Sequence, residues 1–136
     1  MRNFITTILT ICLLIIATTP NADEIDKQFV GDWQGQRDPG SKCSFLAWKL
    51  HRTEDGKFII TFYTDQNKSK EENRETGTWW VKDNKYFTKT EGVPTPDGYS
   101  YNFLDKNTVR YTVLVRDPSA DCAADYEFVD HRVVLH

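Results

Sequence analysis

The sequence predicts an all-β fold: a small eight-stranded antiparallel up-and-down barrel preceded by a short N-terminal helix. Three observations carry this. Apolar residues recur with period two along several segments, turn-forming residues separate those segments, and short and long connections alternate. Period two places alternate side chains on opposite faces of a half-buried strand.

The clearest alternation is Val109, Tyr111, Val113 and Val115 against Arg110, Thr112, Leu114 and Arg116. Tyr99, Tyr101 and Phe103 alternate with Ser100, Asn102 and Leu104; Phe58, Ile60 and Phe62 form a third set, and Leu46, Trp48 and Leu50 a fourth. Strands are expected at about 29–36, 43–52, 57–64, 76–82, 85–90, 98–104, 108–116 and 125–134. The helix is expected at 22–29, with Asn21 or Asp23 placed to cap it.

Glu54-Asp55-Gly56, Asp83-Asn84 and Asp105-Lys106-Asn107 supply the left-handed conformations that tight hairpins need. They follow strands two, four and six, whereas the connections at 37–42, 65–75, 91–97 and 117–124 are longer. In a meander these two sets fall at opposite ends, giving a closed end and a loop-rich open end. Eight strands with the first beside the last leave no exposed edge. An open two-sheet sandwich satisfies the same periodicity.

The chain divides into residues 1–22, read as a signal peptide, and residues 23–136, the barrel domain. Arg2 supplies a positive charge, Ile5 to Ala17 is almost wholly apolar, and Thr18 to Ala22 turns small and polar. The apolar run is short for a bilayer span, so an uncleaved anchor is the lesser reading and no span is expected after cleavage. Removing the leader takes away Cys12 and leaves Cys43 and Cys122. An even count in an exported chain reads as a disulfide. Both cysteines follow an Arg-Asp-Pro triplet at the same offset, Arg37-Asp38-Pro39 and Arg116-Asp117-Pro118, and both follow odd-numbered strands. A bridge between them therefore belongs to the open end, and a periplasmic or secreted location is expected.

Val30-Gly31-Asp32-Trp33 at the first strand, after a short helix and before an eight-strand meander, resembles the lipocalin and wider calycin superfamily. The resemblance implies that Trp33 sits at the closed end of the barrel and that an arginine near the last strand, here Arg132, packs across its ring. Gly31, Trp33 and Arg132 are accordingly the structural residues of the motif. Two departures stand beside this: Thr64-Asp65-Gln66 lies at the wrong end to serve as the family's second motif, and the chain stops at His136 without a C-terminal helix.

The chemistry of known enzymes is not evident. There is no Gly-x-Ser-x-Gly elbow and no Cys-x-x-Cys, and His51, His131 and His136 have no local metal-ligand spacing, so no catalytic residue, metal or cofactor is expected. A net charge of −3 without a basic stripe argues against nucleic acid as partner. Asp38, Asp117, Asp121 and Asp125, with Glu71, Glu72 and Glu75, read as solubilising charge of the open-end loops, or else as a calcium site or an acidic docking surface, although the spaced Asp/Asn/Gly pattern of a calcium loop is missing. Residues 68–74 read as a solvated mixed-charge loop. The inward aromatic face is more informative: Trp48, Phe62, Trp79, Tyr99, Tyr101 and Tyr111 either fill the barrel or line a narrow pocket. A filled barrel is the commoner outcome, but burying tyrosine hydroxyls dry is costly, which keeps the pocket reading beside it. The expected function is a non-enzymatic exported protein that binds a small apolar or amphipathic molecule at the open end. The alternative is a module that binds an extracytoplasmic protein through its disulfide-tethered loops.

Overall fold

A computed structural model describes residues 23–37, 43–120, 122 and 127–135. These form one closed antiparallel barrel in strict sequence order: β1 (Gly31–Arg37), β2 (Leu46–Arg52), β3 (Lys57–Tyr63), β4 (Glu71–Lys82), β5 (Lys85–Thr90), β6 (Asp97–Asp105), β7 (Thr108–Val115) and β8 (Glu127–Arg132). Closure comes from β1 against β8, with Trp33, Gln34 and Gly35 opposite Arg132, His131 and Asp130. The signal-peptide reading of 1–22, and the loop carboxylates Asp38, Asp121 and Asp125, lie outside the described residues.

Local chemistry explains the closed end. Asp83 and Asn84 both adopt positive φ, at 51° and 57°, as a two-residue hairpin loop between paired Lys82 and Lys85 requires. Gly56 (φ 81°) closes the β2–β3 turn, where its N–H donates to Thr53 O. Both turns match the sequence reading.

Two expectations are corrected. The N-terminal helix is absent: among the described residues the segment holds only a 3₁₀ turn, Lys27–Phe29, capped by Asp26, which accepts from Gln28 N. The helix cannot form because Glu24 exchanges backbone hydrogen bonds with Val81, at 2.8 and 2.7 Å, and so runs extended against β4. The second correction is β4, which begins at Glu71 rather than at 76. Residues 71–75 were expected in a loop, yet they pair with Ile60 to Tyr63 of β3, with a bulge at Phe62/Tyr63. Pairing with an established neighbour overrides the low strand propensity of Glu and Asn.

The aromatic core fills the closed half. Phe29, Trp33, Trp79, Val109 and Tyr111 are buried, and Phe29 stacks on Tyr86 and meets Tyr101 and Phe103 edge-on. Trp33 donates its indole N–H to Phe29 O at 2.8 Å. Arg132 lies over the Trp33 ring, 4.3 Å from guanidinium carbon to centroid, and donates to Val30 O and Gln28 O at 2.7 and 2.6 Å. This stack fastens the N-terminal segment across the barrel base. Gly31, at φ 114°, takes a backbone conformation closed to other L residues, and a Cβ there would stand 3.2 Å from Arg132 Nη1.

The opposite end carries the Cys43–Cys122 disulfide, with Cα atoms 5.8 Å apart across 79 positions of sequence. It ties the segment before β2 to the segment before β8. Asp117 forms a second tie. It accepts from Thr95 N, Thr95 Oγ1, Ser119 N and Ser119 Oγ, while its own N–H donates to Asp97 Oδ1 at 2.6 Å. These bonds hold the Asp117 carboxyl down at about 2. Three of the four open-end connections are thus joined. The fourth, between β3 and β4, is self-contained: Asp65 caps Ser69 N and Lys70 N, and Thr64 N donates to Lys70 O.

Candidate ligand-binding cavity

Inward side chains of β2 to β8 surround a cavity of about 390 Å³ in the open half of the barrel. Trp48, Leu50, Ile60, Phe62, Tyr99 and Phe128 are among the apolar side chains that line it. The rings stand nearly perpendicular to one another: Trp48 and Phe128 at 88°, Tyr99 and Phe128 at 89°, Trp48 and Phe62 at 71°. The β4 wall differs. The register sets Glu75 opposite Ile60 and Asn73 opposite Phe62, so both share the inward phase, and with Glu72 they line the cavity.

The floor is a buried polar network. Arg52, 1% exposed, donates Nε–H to the Tyr86 hydroxyl at 2.8 Å, and its Nη2 donates to the Tyr111 hydroxyl at 2.9 Å and to Asp130 Oδ2 at 3.4 Å. Asp130 Oδ1 accepts the Trp48 indole N–H at 2.8 Å. Among the described residues, Arg52 Nη1 has no hydrogen-bond partner. Its guanidinium carbon instead lies within 6 Å of four ring centroids: Tyr86 at 4.8 Å, Phe29 at 5.6 Å, Trp33 at 5.8 Å and Tyr111 at 5.9 Å. Ring faces therefore stand where a hydrogen-bond acceptor is missing. Burial opposes the Arg52 charge, but Tyr111, Tyr86 and Asp130 outweigh it and hold the guanidinium ionised. Burial likewise pushes the Asp130 carboxyl and both phenols upward, with Arg52 opposing.

Gly35 makes this floor possible. A Cβ there would come within 2.6 Å of Asp130 Oδ1 and 2.7 Å of Trp48 Nε1, so only glycine lets that hydrogen bond pass across β1.

Of the aromatic residues singled out by sequence, Trp48, Phe62, Tyr99 and Tyr111 line the cavity. Trp79 and Tyr101 point inward but lie beneath the floor: the Trp79 indole donates to Thr53 O at 3.2 Å, and Tyr101 packs on Phe29 at 4.9 Å. Sequence reasoning missed Arg52, Tyr86 and Asp130. The available signal was phase, because Arg52 continues the inward series Leu46, Trp48, Leu50 and Asp130 continues that of Phe128.

His51 stands on the outer face, its Nδ1 2.7 Å from Asp32 Oδ1. The described residues hold no group of three His, Cys, Asp or Glu side chains arranged to bind a metal.

No family model matches the chain, and no curated protein or solved structure matches it either.

Proposed function

We propose that this protein is an exported, lipocalin-like binding protein that takes a small amphipathic molecule into the open half of its barrel, without catalysing a reaction. One observation carries the reading. A volume of about 390 Å³ exceeds what a few waters need and falls within the range of small-molecule pockets. The aromatic wall would hold the apolar body of the ligand, while the hydroxyl and carboxylate groups around it set orientation. The Gly31-Asp32-Trp33 motif, with Arg132 over the tryptophan, supports the lipocalin-like assignment. The disulfide is compatible with the exported location.

Native mass spectrometry of the purified protein, combined with displacement of a fluorescent amphiphile, tests the reading. Retention of a small molecule that is lost in Tyr99→Trp, a substitution that fills the cavity, is the expected result. A protein that retains nothing and displaces no probe would overturn it.

A second reading, attachment to an extracytoplasmic protein through the mouth loops, draws support from the ties at Asp117 and Cys122, which pre-form that rim. Capture of one discrete partner from envelope extract, weakened by Glu72→Lys, is its expected outcome.

A further inference from the structure

The geometry points to an organic cation, an amine carrying an aromatic or aliphatic body, as the ligand class of this cavity; the inference rests on the binding reading above. The lining is the first ground. Among the described residues it holds five carboxylates (Glu72, Glu75, Asp97, Asp117, Asp130) and three guanidinium groups (Arg37, Arg52, Arg116). Each arginine is already engaged. Arg52 binds Asp130 and two phenols, Arg37 is buried and donates Nε–H to Ser44 O at 2.8 Å, and Arg116 acts electrostatically on Asp97. Several of the carboxylates are engaged as well, but five against three leaves the lining negative in formal charge, which opposes an anionic head. A cationic head would meet the favourable sign.

The floor supplies the second, independent ground. It already holds an organic cation in this way: the Arg52 guanidinium sits among four aromatic rings with one carboxylate beside it. The chamber above repeats the pattern with different residues. Trp48, Phe62, Tyr99 and Phe128 form steeply inclined ring walls, and Glu75 and Glu72 stand on the facing β4 wall. Ring faces and a carboxylate together attract an ammonium group more strongly than either does alone, because the site is partly desolvated.

The test uses three fluorescent probes of similar size on the purified full chain at neutral pH: naphthylmethylammonium, ethylnaphthalene and naphthoate. Naphthylmethylammonium is expected to bind about tenfold more tightly than ethylnaphthalene, and naphthoate more weakly than both. Glu75→Gln should weaken the ammonium probe about threefold to tenfold and leave ethylnaphthalene unchanged. Glu72→Gln, at an exposed position, serves the same comparison if the first variant does not fold. Naphthoate binding as tightly as the ammonium, or glutamine variants that weaken all probes alike, would overturn the cationic assignment while leaving a binding cavity in place. Failure of all three probes to bind would overturn the binding reading itself, and this inference with it.

Discussion

Replacing Arg52 with methionine tests the barrel floor most directly. Methionine keeps a comparable apolar stem but removes the donors to Tyr86, Tyr111 and Asp130. Among the described residues, the Asp130 carboxylate then stays buried with the Trp48 indole as its remaining donor and without the Arg52 counter-charge. Breaking one side of a buried pair costs about 3–5 kcal/mol. In a domain of this size that lowers the melting temperature by roughly 12–20 °C. The loss also carries a pH signature. Without Arg52, burial is opposed by the Trp48 hydrogen bond and His131 but no longer by the guanidinium, so the folded pKa of Asp130 rises further above the unfolded value, which is about 4. A group raised in this way folds best protonated, so its contribution is fully present below the unfolded pKa and is lost as pH rises through the folded one. Arg52→Met should therefore lie closer to the wild type at pH 4 to 5 than at pH 8. Urea unfolding of both proteins at the two pH values reads this out. Adding Asp130→Leu to the methionine background should recover most of the loss and abolish the pH difference. A loss under about 1 kcal/mol at pH 8, or one independent of pH, would refute the claim that a charged pair sustains the floor.

Gly35→Ala should destabilise by about 1–3 kcal/mol in thermal melts, because its methyl must displace Asp130 or Trp48 from their hydrogen bond. Removing the bridge with Cys43→Ala and Cys122→Ala frees a closure spanning 79 positions and should cost about 4 kcal/mol in urea unfolding. The Asp117 carboxyl, held at about 2, stabilises the folded rim above its unfolded pKa and loses that effect as pH falls from about 4 towards 2. Amide protection at Thr95 and Ser119, taken relative to the intrinsic exchange rate at each pH, should fall over that window in the wild type, and Asp117→Asn should show no such step.

Much of the architecture was legible because it rests on period two and on turn chemistry. Val109 and Tyr111 faced inward as their alternation required, and Asp83-Asn84 turned where its residues permit positive φ. The first half of β4 was not legible. Glu71 to Glu75 lacks apolar alternation, and its strand character comes from the partner β3. The N-terminal segment misled for a related reason: a capping residue ahead of a short segment predicts helix, but Phe29 and the Glu24–Val81 bridge anchor an extended chain. The site was read in part. Aromatic phase identified Trp48, Phe62, Tyr99 and Tyr111, but phase says nothing of depth, so Trp79 and Tyr101 came with them. Arg52 and Asp130 escaped notice because a charged residue reads as exposed until its partner, 78 positions away, is known.

The self-contained turn around Asp65 separates the β3–β4 connection from the rest of the mouth. Among the described residues its hydrogen bonds begin and end between Thr64 and Lys70, whereas its three counterparts are linked to one another through Asp117 and the disulfide. This corner of the barrel can be lengthened, exchanged or grafted with a foreign epitope as an independent module, while the same surgery at any other corner would unlace its neighbours.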